Sequence, residues 1–282
     1  MTRHRASRRF GDILLTTTAL VAGLAGGGKG AAAGSSSGLS GFQVQAGGAT
    51  LSTPSATKSV ITQSTNKAII SWSAFGIPTG STVQFIQPGS SSVALNRVTG
   101  GSVSQILGNL SANGQVWIVN PAGVFFGAGA QVDVAGLMAT TSDIQNGNFL
   151  SGNYQFGIGS QNPNAGIVNQ GTIRVASGGS AVLSGAQVTN QGLIEAQLGS
   201  VVLAGAKTFT VDFQGDKLLS FQVTGAVDQR PTAADGAPAK ALVTNAGTVS
   251  AAGGTVLLTA RAAKNIIDNV INSTGIVEAT SA

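Results

Sequence analysis

Along residues 113–141 (NGQVWIVNPAGVFFGAGAQVDVAGLMATT) the apolar residues come in short runs, at 116–119, 124–126 and 132–134, with Asn or Gly between the runs. A strand that ends in Asn-Pro or Asn-Gly turns sharply. A strand that begins two or three residues later must leave at an angle to the first. This is the corner pattern of a coiled β structure, and it points to a structural or binding protein rather than to an enzyme.

Further along, the pattern repeats. NQGTIRVASGGSAVLSGAQVT (169–189) is followed by NQGLIEAQLGSVVLAGAK (190–207), then by NAGTVSAAGGTVLLTARA (245–262), and NSTGIVEA (272–279) begins another unit. Each unit opens on Asn, with Gly close behind, and starts a second β run nine or ten residues later after Gly179, Gly199 or Gly254. A unit of about twenty residues holding several short strands is one coil of a parallel β-helix. A β-sandwich is the rival, but its strands return through hairpins and do not keep a near-identical repeat. The expected fold is an all-β, right-handed, single-stranded parallel β-helix. Asn169, Asn190 and Asn245 are expected at one repeated corner, stacked in a hydrogen-bonded ladder, with Gly supplying the positive φ of the corners.

Two stretches break the repeat. Residues 208–240 hold two alternating runs around Gln214-Gly215-Asp216, followed by a polar Pro/Ala stretch. They predict an antiparallel β-hairpin excursion from the helix. Residues 34–85 show strands without a clean repeat, and are expected to be a leader and an N-terminal cap that covers the first coil. The domain organisation is then residues 1–33 as a signal peptide and 34–282 as one β-helix domain.

Composition sharpens this picture. The chain of 282 residues contains 41 Gly, and 9% of it is charged, against about a quarter in ordinary soluble chains. Its net charge of +5 is concentrated at the start. Arg3, Arg5, Arg8, Arg9 and Lys29 fall in the first 33 residues against one acid, Asp12. The remainder is close to neutral and offers no basic stripe, so nucleic acid is not an expected partner. The Arg-rich start, the apolar run at 13–24 and Ala31-Ala32-Ala33 read as an export signal cut after Ala33. Cysteine is absent, so packing and backbone pairing must hold the exported fold.

Candidate chemistry is sparse. The single histidine, His4, lies in the signal. The acids Asp133, Asp143, Glu195, Asp212, Asp216, Asp228, Asp235, Asp268 and Glu278 are scattered over different units. No catalytic, cofactor-binding or metal-ligating set is predicted, and no cofactor. GLAGGGKG (23–30) falls short of a phosphate-binding loop because Gly30 stands where Ser or Thr is needed. Trp72, Phe75, Trp117, Phe125 and Phe126 are read as packing residues in preference to a sugar-stacking platform.

The box IVNPAGVFFG (118–127) resembles the N-P-N-G-I box of the filamentous haemagglutinin secretion domain, the N-terminal domain of two-partner secretion exoproteins that include the high-molecular-weight adhesins. ALNRVTGGSVSQILGNL (94–110), AIISWSAFGI (68–77) and TFTVDFQGDKLLSFQV (208–223) resemble the segments around that box, in the family's order. Ala122 stands where the family has Asn, and Val124 where it has Ile. The resemblance implies an exported, adhesin-like secretion domain at the cell surface or outside the cell. It implies as partner an outer-membrane TpsB-type β-barrel transporter with periplasmic docking domains, and downstream a host-cell glycan or protein receptor. It points to Asn96, Arg97, Asn120, Pro121, Gly123 and Val124 as the recognition and folding turn. The competing readings are a glycan-active β-helix enzyme and a standalone β-helix surface-binding protein. Three or more acids within about 8 Å in one groove would favour the enzyme.

Overall fold

Short strands separated by sharp corners cannot pair with their sequence neighbours, so each pairs with its counterpart one coil away. The computed structural model describes residues 38–213, 219–233 and 236–280, and among these the strands stack into three long faces. The first face has eight strands, from Gln43–Ala46 to Thr255–Ala260. The second has nine, from Ala49–Ser55 to Ile276–Glu278, and the third has six, from Ser104–Ile106 to Ile271–Ser273. One coil shows the path. Gln115–Val119 lies on the first face, Val124–Phe126 on the third and Gln131–Val134 on the second. Gly136–Thr140 then returns to the first face beside Gln115–Val119, in parallel register with Trp117 opposite Met138. This is the parallel β-helix that the repeats predict.

The interior is built from columns. On the first face one column reads Ile70, Asn96, Ile118, Ala139, Leu183, Leu203, Leu258. It packs inside the coil against Val124, Ile167 and Val188 of the third face and Val132, Ile173 and Ile194 of the second. Corner glycines form columns too, for a reason other than the expected one. Gly179, Gly199 and Gly254 do not have positive φ. A Cβ on Gly199 would land on the carbonyl oxygen of Gly179, and one on Gly254 on that of Gly199. These corners need glycine so that backbone can lie on backbone. Positive φ falls one residue earlier, at Gly178 (φ 76) and Gly253 (φ 70), and in the coil between them at Leu198 (φ 53).

The N-terminal end is closed by antiparallel pairing. Leu39–Ser40 pairs with Ala74–Phe75, Gln43–Ala46 with Lys67–Trp72, and Ala49–Ser55 with Lys58–Gln63. Trp72 is fully buried there, edge-on to Phe42 and Phe75. The cap is shorter than the 34–85 expectation. Lys58–Gln63 and Lys67–Trp72 already pair in parallel with the strands above them, so coiling starts near Lys58. Sequence hid this because the first coils have lost the Asn-x-Gly corner. The expected signal segment, residues 1–33, lies outside the described residues.

The first face is apolar on its outer side as well. Ile69, Leu95, Trp117, Met138, Val182, Val202 and Leu257 form one outward column. A sheet apolar on both faces reads as continuous hydrophobic runs and must be covered twice. Two excursions provide the outer cover. Thr208–Phe213 and Leu219–Gly225 form the expected antiparallel pair, its turn lying outside the described residues. A helix, Asn146–Ser151, and a strand, Tyr154–Phe156, were not expected from sequence. That strand extends the antiparallel pair to a three-stranded sheet. Trp117 sits at the centre of this outer core, 4.8 Å from the ring of Tyr154 and 5.6 Å from that of Phe149.

Leu198 provides a test of the corner chemistry. A leucine held at positive φ costs about 1–2 kcal/mol, while a glycine's added chain entropy offsets about 0.5–1 kcal/mol. Leu198 is 52% exposed, so little packing is lost with it. Leu198→Gly should therefore raise the unfolding free energy by roughly 0.5–1 kcal/mol. Gly199→Ala, one residue on, should lower it by about 1–3 kcal/mol or more. Urea titration of the purified chain measures both.

Candidate functional site

Most departures from the regular coil lie at one corner, where the first face hands the chain to the third. Val98 is followed by a loop before Ser104, and Val119 by the turn before Val124. The two excursions leave from this corner also, after Thr140 and after Gly205. Irregular segments of successive coils therefore stack on one another along a single edge.

The turn at 120–123 is the tight member of that stack. Asn120 is fully buried. Its Oδ1 accepts the Ala122 N–H at 2.9 Å, and its backbone carbonyl accepts the Gly123 N–H at 2.9 Å. Its Nδ2 donates to the Ser102 carbonyl at 3.0 Å and to Ser104 Oγ at 2.9 Å in the coil below. One side chain thus closes its own turn and ties it to the previous coil. Pro121 is exposed, and its carbonyl accepts a hydrogen bond from Ser160 Oγ at 2.6 Å. Gly123 has φ 112, and a Cβ there would lie 2.8 Å from the Gly166 carbonyl oxygen. Val124 points into the core between Ser104 and Ile167.

Asn96 and Arg97 lie on the neighbouring strand Val93–Val98 and point in opposite directions. Asn96 is buried in the interior column; its Oδ1 accepts from Trp72 Nε1 at 3.0 Å, and its Nδ2 donates to the carbonyls of Ala94 and Trp117. It is a buried amide with its partners in place, joining the cap to the next coil. Arg97 points outward. Its Nε lies 2.9 and 2.8 Å from the two Asp143 carboxylate oxygens, Nη1 donates to Asn146 Oδ1 at 2.8 Å, and Nη2 to the Ile144 carbonyl at 2.6 Å. Arg97 therefore fixes the start of the first excursion. Sequence did not reveal Asp143 as its partner, because the two are 46 residues apart and the excursion carries no repeat.

These segments enclose a cleft of about 590 Å³. Gly100 and Gly101 lie on one side, Pro121 and Ala122 on another, and residues 158–162 of the first excursion opposite, with the Arg97–Asp143 pair at its edge.

Asn169, Asn190 and Asn245 lie elsewhere, at the corner between the third and second faces. They are register partners on adjacent strands. Asn169 Nδ2 donates to Asn190 Oδ1 at 2.9 Å and Asn190 Nδ2 to Asn245 Oδ1 at 2.8 Å, all three side chains buried. The column passes next to Ser273.

The acids remain dispersed. Asp143, Glu195, Asp228 and Asp268 each pair with a base, Arg97, Arg174, Lys207 and Arg230 respectively. Among the described residues no three of His, Cys, Asp and Glu form a group that could hold a metal ion; Asp216 and Asp235 lie outside them. Trp72, Phe75, Trp117 and Phe126 are buried, and Phe125 is half-buried on the outer side of the third face.

Comparison with known proteins adds the relatives. The sequence model of the TPS (two-partner) secretion domain matches residues 40–282. A heme/hemopexin-binding protein of Haemophilus influenzae (strain ATCC 51907 / DSM 11121 / KW20 / Rd) is 39% identical over 160 residues, 54% of this chain and 18% of that protein. Another heme/hemopexin-binding protein from Haemophilus influenzae is 46% identical over 110 residues, 39% of this chain and 12% of that protein. The match thus spans less than a fifth of either relative. The crystal structure of the HMW1 secretion domain from Haemophilus influenzae superposes with a TM-score of 0.67 at 30% identity, covering 86% of this chain and 57% of that one.

The turn's bonding makes stability predictions. Asn120→Ala removes three side-chain hydrogen bonds and strands buried partners, and should cost about 1–3 kcal/mol. Gly123→Val should cost at least about as much, roughly 1–3 kcal/mol, through its φ and the Gly166 carbonyl. Ala122→Asn should change stability by less than about 0.5 kcal/mol, since the turn uses only the Ala122 N–H. Denaturant midpoints of the three variants check the order.

Proposed function

The chain belongs to the TPS secretion domain family, and from that premise we propose that it delivers an exported polypeptide to an outer-membrane partner and then starts its folding outside. The partner is a TpsB-type β-barrel transporter whose periplasmic domains bind the incoming chain. The observation that carries this reading is the one-way construction of the coil. Three antiparallel pairs close the N-terminal end, and every later coil pairs in parallel on the one before it. Folding can then proceed in chain order as residues emerge, each coil laid on a finished template, with burial and backbone pairing as the driving force. A chain without cysteine can be threaded unfolded without a cross-link to block it.

Residues 1–33 act as the export signal in this reading, and 34–282 as the secretion domain. The turn at 120–123, with Asn96 and Arg97, is the element on which uptake depends. A host-cell glycan or protein receptor would be engaged once the chain is outside; heme and hemopexin, which name the two relatives, are ligand classes to assay first.

The test is secretion from cells that carry the full chain with and without its transporter. Protein should appear in the medium or on the surface only when the transporter is present, with Gly34 as its first residue by N-terminal sequencing. Asn120→Ala and Gly123→Val should lower the exported fraction by about tenfold, in line with the loss of roughly 1.4 kcal/mol or more. Export of the wild-type chain without a transporter would refute the proposal.

A further inference from the structure

We propose that Asn146-Gly147 is a self-modification site, where the Asn146 side chain loses ammonia and the isoaspartate formed loosens the outer cover of the first face.

The reaction needs only water. The Gly147 backbone nitrogen attacks Asn146 Cγ. The new N–Cγ bond forms as Cγ–Nδ2 breaks, and ammonia leaves with the proton of that backbone nitrogen. Water then opens the five-membered imide. Attack at Cγ gives aspartate with the main chain restored. Attack at the main-chain carbonyl of residue 146 gives isoaspartate, with the chain routed through the side chain and one methylene longer. Glycine after the asparagine matters because no Cβ obstructs the attacking nitrogen.

The chain contains two Asn-Gly pairs, 113–114 and 146–147. Both asparagines are exposed, so exposure does not separate them; their bonding does. Asn113 Oδ1 accepts the Gln87 N–H and its Nδ2 donates to the Gln87 carbonyl, each at 2.7 Å. Gly114 is buried, and its carbonyl accepts the Ala135 N–H. Both ends of that amide are therefore fastened to the neighbouring coil, and its glycine is fixed in the stack.

Asn146 is the opposite case. Its Nδ2, the leaving group, has no partner among the described residues, and neither has the Gly147 N–H, one of the orphan donors of a first helical turn. Gln145 at the N-cap makes no side-chain bond to the turn. A helix of six residues has little cooperative strength of its own. The turn can thus open locally and let Asn146 leave its helical ψ, as the attack requires. Arg97 assists. Its Nη1 donates to Asn146 Oδ1 at 2.8 Å, which polarises Cγ toward the nitrogen and stabilises charge on the oxygen. The guanidinium is itself held by Asp143 and the Ile144 carbonyl. Aspartate at 146 would keep an oxygen where Arg97 already bonds one. Isoaspartate would lengthen the first turn and shift Phe149, whose ring packs 5.6 Å from that of Trp117.

The test is peptide mapping by mass spectrometry of the purified chain during incubation at mildly alkaline pH, folded and in denaturant. In the folded chain Asn146 should deamidate at least about tenfold faster than Asn113, and in denaturant the two should react at similar rates. An isoaspartate-specific methyltransferase should label the peptide that contains residue 146. Gly147→Ala is the clean variant. Gly147 does not have a positive φ, and a Cβ there meets nothing within 4 Å, so the variant should melt at or above the wild type. Its Asn146 should react about tenfold more slowly, because the added Cβ shields the nitrogen. Asn146→Asp should keep the wild-type denaturant midpoint, while the isoaspartate fraction of aged protein should unfold earlier. Equal or faster reaction at Asn113 in the folded chain would overturn the proposal. So would an unreacted Asn146 over a period in which the denatured chain loses both amides, or an unchanged rate in Gly147→Ala. An isoaspartate fraction as stable as the wild type would overturn the loosening of the cover. Should Gly147→Ala melt lower, the comparison of the two pairs in the wild-type chain decides.

Discussion

A residue in this molecule is accepted or rejected chiefly by its own counterpart one coil away, about 4.8 Å distant along the ladder. The corners show the constraint most clearly. Glycine is required at 179, 199 and 254 because each lies directly on the backbone of the coil before it, at Ala135, Gly179 and Gly199 respectively. Asparagine at 169, 190 and 245 meets the same constraint differently. A single buried amide is costly if its donors and acceptors go unmet. Stacked in register, each amide donates to the next one's oxygen, and the ladder meets most of its own needs. Along the inner column the rule is looser, since Ala, Leu and Ile all fit an apolar interior. Asn96 is the exception there, and it is accommodated because Trp72 below and the Trp117 carbonyl above both bond its amide.

The same stacking creates the need for the outer core. A column holding Trp117, Met138 and Val202 on the outside of the first face cannot be left in water, and both excursions leave from the corner nearest to it. Two cations from successive coils secure the first excursion. Arg97 bonds at the start of its short helix, and Lys67 Nζ reaches the Phe149 and Leu150 carbonyls at the helix end, each at 3.0 Å. A lysine at that end suits the orphan carbonyls of a helix terminus. It also lies 5.3 Å from the Tyr154 ring centre and 5.7 Å from that of Phe149. The far wall of the cleft is the continuation of this pinned segment. The cleft therefore exists only when the outer core is packed.

What sequence disclosed follows from where the chain repeats. Asn169, Asn190 and Asn245 share a local context, so their common corner could be read directly, and with it the coil length and fold class. The 208–225 hairpin was legible from two alternating runs around Gln-Gly-Asp. The helix at 146–151 was not. NGNFLS has low helix propensity, and it is helical because Phe149 packs on Trp117 and its two ends are bonded by Arg97 and Lys67. The early coils from Lys58 were missed for a related reason. They pair by side-chain fit with no repeated corner residue, and register of that kind is set by partners distant in sequence. The cleft is legible only in three dimensions, because its sides come from 100–101, 121–122 and 158–162. The resemblance of 118–127 to a family box marked one side of it, while the other two carry Gly, Ser, Gln and Asn, which are common in any loop, and a single Ile.

The position of the Asn-Pro-Ala-Gly turn explains its weight in the fold. Asn120 donates downward to Ser102 and Ser104, and the Pro121 carbonyl is bonded from above by Ser160. The turn is thus a fastening between three successive coils at the corner from which both excursions leave. Replacing Asn120 loosens the coil below and the turn itself, so any loss of export in such a variant has a folding component. Ala122 bears no such load. Its side chain makes none of these bonds, and the turn is closed through its N–H alone. That is why the turn closes with alanine at this position.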